Sequence, residues 1–129
     1  MIVVDSDVLI DALRGREPAA TRVGSGLDAA VLATTTISAF ELLSGVRTRR
    51  LREHVERLLA GLSIFPFDAD AAEAAAAARR ELERQGRPIG MADYLIAGIC
   101  LARSAELLTL NRAHFERVPG LRLAEFTPG

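Results

Sequence analysis

The chain has 129 residues, of which 50% are hydrophobic and 26% are charged, and its net charge is −1 at neutral pH. A chain of this length and composition is expected to fold as one domain, residues 1–129, with a core of its own. The near-neutral charge excludes a general electrostatic attraction to nucleic acid or to a membrane surface. All 16 basic residues are nevertheless arginines, which suit contacts with carboxylate and phosphate groups.

Cysteine content and hydropathy indicate the cellular compartment. The only cysteine, Cys100, lies in an apolar run, so an internal disulfide is impossible and a buried thiol in a reducing compartment is expected. The first residues lack the basic segment of a secretory signal. The apolar run 94–102 is much shorter than the roughly 20 residues that span a bilayer. These features predict a cytoplasmic protein with no membrane partner.

The first half of the chain alternates between strand and helix patterns. Ile2 to Val4 is short, β-branched and apolar, as in a central parallel strand. Ser6 is expected to cap the helix that follows and Gly15 to end it. The next expected elements are a helix over 18–27, a weak strand over 30–33, a helix that ends at about Ser44 before Gly45, and an amphipathic helix that begins after Thr48.

The second half continues this alternation. The alanine-rich helix within 68–86 has acids in its first turns and arginines in its last, which matches the helix dipole. The other expected elements are a strand over 63–67, an apolar helix over 91–103, a strand over 106–110, a short helical turn over 111–115 and an edge strand over 121–123. Alternating strands and helices predict an α/β fold, a three-layer α/β/α sandwich around a mostly parallel sheet. Such folds bind ligands outside the carboxyl ends of their strands.

Asp5 and Asn111 lie at such strand ends, and a second acid, Glu41, lies on the helix that follows the second strand. Asp5 directly follows the first strand, where a charge is costly without a partner. The simpler alternative is that Asp5 only helps to cap the first helix. Glu41 completes a capping box if Ser38 is the cap of its helix, and lies outside it if Thr36 is the cap. The spacing leaves both alternatives open.

A third acid, Asp93, lies near the start of the most apolar helix. The helix dipole favours it by about 0.3–1 kcal/mol, whereas leaving it desolvated and unpaired costs several kcal/mol. A positive group, either an arginine or a metal ion, should therefore meet Asp93. Asp7, in the first turn of the first helix, is expected to compensate the helix dipole without binding a metal directly.

Together, Asp5, Glu41 and Asp93 predict a site for a hard cation, Mg²⁺ or Mn²⁺. The sequence contains no Cys/His cluster for zinc, no nucleophile elbow and no phosphate-binding glycine motif. His54 is expected to face solvent. His114 can lie near the site, but a surface imidazole is the preferred interpretation.

Four segments resemble the PIN-domain ribonucleases of the VapC toxin type: VVDSDVLIDALRG, TTISAFELLSGV, GRPIGMADYLIAGICLA and LLTLNRAHFERVPGLRL. They occur in the family's order and cover almost the whole chain. The resemblance implies a metal-dependent endoribonuclease, the toxin of a toxin–antitoxin pair, in which a metal-activated water hydrolyses RNA. It places the family's three acids, as catalytic residues and metal ligands, on Asp5, Glu41 and Asp93.

The chain departs from the family pattern after the fourth predicted strand. Many members have an acid there, whereas this sequence has Asn111 and then His114. Thr109 matches the threonine that precedes this position and can orient a water, and Asp7 stands where Asn or Ser is common. One metal held by three acids is therefore expected, with these four residues as accessory candidates.

The resemblance also implies partners, namely a VapB-like antitoxin and a second copy of the chain. An apolar stripe on neighbouring helices is predicted to exceed what the core needs and to form these contacts: Leu51, Val55, Leu58 and Leu59, with Phe40 and Leu43. The antitoxin is expected to insert a basic side chain toward the acids.

Two other functions remain open at this point. A strand followed by Asp-x-Asp resembles the haloacid dehalogenase phosphatases, in which Asp5 would be the nucleophile and Asp7 the general acid. Those enzymes usually have a lysine at the site, and this chain has none. The other alternative is a PIN fold that binds RNA or protein without cleaving it.

Overall fold

The computed structural model describes residues 1–127, which contain four strands and seven helices. The strands are β1 (Ile2–Val4), β2 (Leu32–Thr35), β3 (Ser63–Phe65) and β4 (Glu106–Leu108). The helices are α1 (Ser6–Leu13), α2 (Ala19–Asp28), α3 (Thr36–Ser44), α4 (Arg49–Ala60), α5 (Ala69–Arg84), α6 (Met91–Ala102) and α7 (Arg112–Phe115). None of these helices is long and apolar enough to cross a bilayer.

The sheet has the order β3-β2-β1-β4, and every pairing between its strands is parallel. Ile2 of β1 is level with Leu32 of β2 on one side and with Glu106 of β4 on the other. Because all four strands run the same way, their carboxyl ends lie along one edge of the sheet. The predicted three-layer α/β/α sandwich with a parallel sheet is confirmed.

The core is divided between the two faces of the sheet. Successive strand residues point to opposite faces, so Val3 belongs to one apolar cluster and Val4 to the other. The first cluster packs against α5, α6 and α7, and the second packs against α1, α2, α3 and α4. β1 is therefore apolar at every position, whereas β2 ends in the buried Thr34 and Thr35.

Close packing of α5 on α6 fixes the helix that carries Asp93. A Cβ atom on Gly98 would lie 2.5 Å from the Ala71 carbonyl oxygen and 2.6 Å from the Ala75 Cβ. Only glycine allows this approach, since real Cβ atoms do not come so close to a backbone oxygen. The small residues of α5 thus bring α6 tightly against it.

Several local predictions differ from the structure, and the strands expected over 63–67 and 106–110 already end at Phe65 and Leu108. Asp5, and not Ser6, is the N-cap residue of α1. The second strand covers Leu32–Thr35 instead of 30–33, because Ala30 has a positive φ of 56° that ends the preceding turn. The expected edge strand over 121–123 is only an isolated bridge between Leu107 and Leu123.

Candidate active site

Asp5 and Thr109 lie side by side at the ends of the neighbouring strands β1 and β4. The Asp5 amide donates a hydrogen bond to the Leu108 carbonyl at 2.9 Å. The Thr109 hydroxyl donates to Asp5 Oδ2 at 2.8 Å, and the Ser6 amide donates to Asp5 Oδ1 at 2.8 Å. Asp5 is only 6% exposed and Thr109 is fully buried. The Asp5 carboxylate is therefore held in one orientation, both as a helix cap and as a group at the sheet edge.

The charge on Asp5 is electrostatically unfavourable. Burial, followed by the negative charge of Asp7, raises the pKa of Asp5 to about 7, and Glu41 adds a smaller effect in the same direction. The hydrogen bonds from Thr109 and Ser6 lower this pKa and only partly offset the increase. A cation bound here would stabilise the ionised carboxylate.

Asp7 is more than a surface acid in the first turn of α1. Its Oδ2 accepts a hydrogen bond from the Leu110 amide at 3.2 Å, which joins α1 to the loop after β4. Its Oδ1 is buried and has no hydrogen-bond partner among the described residues. Burial raises the pKa of Asp7 as well. This acid therefore adds negative charge beside Asp5, in addition to any interaction with the helix dipole.

Glu41 comes from α3 and is exposed. The Ser6 hydroxyl donates to Glu41 Oε1 at 3.2 Å. Thr35 is the N-cap of α3, and its hydroxyl oxygen accepts from the Ser38 amide at 3.0 Å. Glu41 therefore lies beyond the capping turn, and neither Ser38 nor Thr36 is the cap.

Asp93 lies in the first turn of α6, and its partner is His114. His114 Nδ1 is 3.0 Å from Asp93 Oδ2, and the side-chain amide of Asn111 is 2.9 Å from the same ring nitrogen. The Asn111 backbone amide donates to the Thr109 hydroxyl at 3.0 Å. The side chain that meets Asp93 is therefore a histidine and not the expected arginine, and His114, although partly exposed, contacts one of the acids instead of being only a surface imidazole.

These contacts join the three predicted acids into one polar network. In spatial order its members are Glu41, Ser6, Asp5, Thr109, Asn111, His114 and Asp93. Within residues 1–127, no three His, Cys, Asp or Glu side chains are close enough together to hold one metal ion. The acids are thus linked through intervening polar groups.

The chemistry of these residues fits a hard divalent cation. All the candidate ligands are carboxylate oxygens, which Mg²⁺ and Mn²⁺ prefer. The raised pKa of Asp5 indicates uncompensated negative charge at this edge, as does Asp7 Oδ1, which has no hydrogen-bond partner within residues 1–127. For the three acids to contact one ion, the exposed Glu41 side chain would have to turn from the Ser6 hydroxyl.

Two residues near the acids have no catalytic role in the sequence-based interpretation. Ser6 was expected only to cap α1, but its hydroxyl donates a hydrogen bond to Glu41. Its position next to Asp5 is the one feature of the sequence that could have indicated a role near the acids. Cys100 is buried as predicted. Burial, with a smaller contribution from the charge of Asp5, raises the pKa of its thiol to about 12. The thiol is therefore neutral and unreactive, although it lies close enough to Asp5 to sense its charge.

Similarity to known proteins identifies the family. The family model described as PIN domain matches residues 2–121. The chain belongs to the PIN-domain family. This PIN domain is 39% identical over 129 residues to Ribonuclease VapC10 of Mycobacterium tuberculosis, with 100% of this chain and 96% of that protein covered. It is 30% identical over 129 residues to the tRNA(fMet)-specific endonuclease VapC of Shigella flexneri, with 97% of each covered.

The fold is likewise similar to that of a solved complex. The PIN domain superposes with a TM-score of 0.86 on a chain of the DNA-bound VapBC of Salmonella typhimurium, at 27% identity and with 98% of each chain covered. The agreement in sequence and in fold therefore extends over nearly the whole chain.

Proposed function

We propose that this PIN domain is an endoribonuclease that acts as the toxin of a toxin–antitoxin pair and hydrolyses RNA with Mg²⁺, for which Mn²⁺ can substitute. The observation that carries the proposal is the buried Asp5, fixed at the strand ends with its pKa raised to about 7. The names of its relatives, which include ribonucleases and a tRNA endonuclease, support the reaction class.

Asp5, Glu41 and Asp93 are the residues that would hold the ion. A bound divalent cation supplies a water of lowered pKa and neutralises charge on the scissile phosphate. Thr109 and the Ser6 amide keep the Asp5 carboxylate fixed, so that it needs no reorganisation during the reaction. The Ser6 hydroxyl holds Glu41.

The phosphatase alternative is not favoured. The PIN family match covers the Asp5–Asp7 segment, and lysine is absent from the chain. In addition, Asp7 Oδ2 is engaged with the Leu110 amide. A PIN fold that binds RNA without cleaving it is favoured by one observation only, which is that the acids do not converge on a single point.

An RNA cleavage assay separates these three functions. The purified full chain is incubated with several structured RNAs in the presence of Mg²⁺, Mn²⁺ or EDTA, and in parallel with a small phosphomonoester. We expect cleavage of RNA with either metal, none with EDTA, and no release of phosphate from the monoester. Metal binding without cleavage of any RNA would favour the binding module, and phosphate release from the monoester would favour the phosphatase.

The proposal includes a VapB-like antitoxin and a homodimer. Phe40 is 70% exposed on α3 and Leu43 is also exposed. Next to them, a groove of about 170 Å³ lies between α1, α3 and α4, with Glu41 and Arg14 in its wall. Val55, by contrast, is buried in the core, so the exposed apolar surface is smaller than the predicted stripe.

The groove supports the antitoxin partner because an apolar segment seated there would pass beside Glu41. A basic side chain on that segment would reach the acids and compete with the metal. Light scattering at micromolar concentration is expected to show a dimer, and a monomer would contradict that part of the proposal. Copurification with the product of a neighbouring reading frame, and inhibition of cleavage by it, would test the antitoxin.

A further inference from the structure

His114 is the only histidine of the chain that contacts one of the three acids among the described residues. Its Nδ1 lies 3.0 Å from Asp93 Oδ2. Its side chain is 42% exposed, and that of Asp93 is 20% exposed. The other histidine, His54, is exposed on α4. The contact is therefore specific to one imidazole and one carboxylate.

The partners of Nδ1 determine which ring nitrogen carries the proton. A ring nitrogen either donates or accepts a hydrogen bond, and an ionised carboxylate can only accept. With Asp93 ionised, the contact at 3.0 Å is attractive only in the tautomer that carries the proton on Nδ1, since a lone pair facing the carboxylate would be repelled. The Asn111 side-chain nitrogen lies 2.9 Å from the same ring nitrogen, and two facing donors would repel, so we assign the Asn111 amide in the flipped orientation, with its oxygen toward this N–H group.

The backbone that carries His114 is rigidly supported. The next residue, Phe115, is fully buried in the apolar cluster beneath α7. Arg112 donates to the Ala124 carbonyl at 3.0 Å, which ties α7 to the segment that follows. Because the backbone of α7 is anchored on both sides of His114, its imidazole can hold the Asp93 carboxylate in one orientation.

We propose that His114 is a positioning residue, which orients the Asp93 carboxylate for metal binding through its Nδ1–H group. The proposal rests on the proposed function. The chain has a hydrogen-bond donor at a position near which many family members have an acid. A further carboxylate at position 114 would repel Asp93 at this distance, whereas the imidazole attracts it without adding negative charge to a site that already has uncompensated charge.

Substitutions at position 114 can separate the donor from the ring. Asn places its side-chain nitrogen where Nδ1 stands, Gln extends the amide toward the Nε2 position, and Ala removes the donor. The purified full-length variants are titrated with Mn²⁺ by calorimetry, and kcat and KM are measured on a cleaved RNA. His54→Ala serves as the matched control, and melting in EDTA shows whether each variant is folded.

We expect His114→Ala to weaken Mn²⁺ binding by about 10-fold, since partners that orient metal ligands typically contribute 10–100-fold. We expect kcat to fall while KM for RNA changes little. His114→Asn should recover most of the lost affinity, His114→Gln should not, and His54→Ala should bind as the parent does. Recovery of Mn²⁺ affinity in His114→Asn but not in His114→Gln would show that the contact made by Nδ1 is required. A general loss of packing would lower the affinity of both variants alike.

Two results would overturn the proposal. Mn²⁺ affinity that is unchanged or higher in a folded His114→Ala would show that the imidazole does not prepare Asp93 for the metal. Equal losses in the Asn and Gln variants would show that Nδ1 is not the group involved. If the parent chain itself neither bound Mn²⁺ nor cleaved RNA, the proposed function would fail, and the positioning role would fail with it.

Discussion

Asp5 and Glu41 belong to the same polar network but are held in opposite ways. Asp5 follows a central strand, is 6% exposed and accepts hydrogen bonds from Thr109 and from the Ser6 amide. Glu41 extends from a helix, is exposed and accepts one hydrogen bond, 3.2 Å long, from the Ser6 hydroxyl. The sheet thus fixes one of the proposed ligands at the expense of burying its charge, whereas the helix supplies a proposed ligand that remains adjustable.

This difference indicates how a site with separated acids can bind an ion. The fixed Asp5 carboxylate would define the position of the ion. Rotation of the exposed Glu41 side chain toward that position costs little free energy, because water solvates the side chain throughout. The unfavourable part, desolvation of Asp5, is already present in the metal-free fold and is relieved when a cation arrives. Substitution of each acid separates the effect of the fixed carboxylate of Asp5 from that of the adjustable Glu41 side chain.

The largest expected effect is the loss of activity in Asp5→Asn. We expect Mg²⁺-dependent cleavage of RNA to fall by more than about 100-fold, since a ligand should matter more than the outer partners whose loss costs about 10–100-fold. Growth arrest on expression should disappear with it. The control is Asp28→Asn, at an exposed position on α2. Cleavage by Asp5→Asn at the parent rate would remove Asp5 from the site.

Asp93→Asn should show a smaller loss, which is best seen in metal binding. We expect Mn²⁺ affinity to fall by about 10–100-fold in calorimetry while the fold remains intact, because the amide oxygen can still accept from His114. Circular dichroism checks the fold. If affinity is unchanged, Asp93 is not a ligand, and the histidine contact is only structural.

The unfavourable charge of Asp5 predicts a pH dependence of stability in the metal-free protein. Its pKa is about 7 in the fold and 3.8 in an unfolded chain, so the folded state binds more protons between these values. Its contribution to stability is therefore fully present below about pH 4 and is lost as the pH rises through 7. In EDTA at pH 8, Asp5→Asn should be more stable than the parent by about 1–3 kcal/mol, with no gain at pH 4.

Glu41→Gln provides the comparison for that measurement. Its side chain is exposed, so denaturant unfolding in EDTA should differ from the parent by less than about 0.5 kcal/mol at either pH. A gain in unfolding free energy at pH 8 as large as that of Asp5→Asn would show that the charges of Glu41 and Asp5 destabilise the metal-free fold equally. That result would contradict the contrast between a buried, fixed acid and an exposed, adjustable one.

The sequence was sufficient to predict the fixed part of the site. A charge directly after an apolar, β-branched strand conflicts with its surroundings, and parallel strands bring their carboxyl ends to one edge, so Asp5 and Asn111 could be placed at the same edge. Thr109, which contacts Asp5 directly, was indicated only by the family resemblance. The cap of α3 could not be predicted, since Thr34, Thr35, Thr36 and Ser38 are all good caps. The choice depends on where β2 ends, and its pairing continues as far as Thr35 with Phe65.

The contact between His114 and Asp93 could not be predicted either. The two residues are 21 positions apart on different helices, and their distance depends on how α6 and α7 pack against the sheet. No local spacing encodes that packing. The expected edge strand over 121–123 also depends on packing that no local spacing encodes. Only Leu107 of β4 makes backbone hydrogen bonds to this segment, to Arg122 and Ala124, and pairing through a single residue of β4 does not form a strand.

The smallest expected effect is that of Asp7→Asn. An amide oxygen at this position can still accept from the Leu110 amide, and the substitution replaces a buried carboxylate oxygen that has no described partner. We expect the rate of RNA cleavage to remain within about 10-fold of the parent rate. This loss is smaller than the loss of about 10–100-fold that typically follows removal of a residue hydrogen-bonded to a metal ligand. In a phosphatase with Asp7 as the general acid, the same change would be crippling.

The same variant also tests the cause assigned to the high pKa of Asp5. The negative charge of Asp7 is the second largest contribution after burial, so its removal should lower the pKa of Asp5. The loss of stability of the metal-free protein with rising pH should then occur at lower pH than in the parent, which unfolding curves measured in EDTA between pH 4 and 8 would detect. An unchanged transition would mean that burial alone raises the pKa, and that the second acid of the opening motif has little influence on the first.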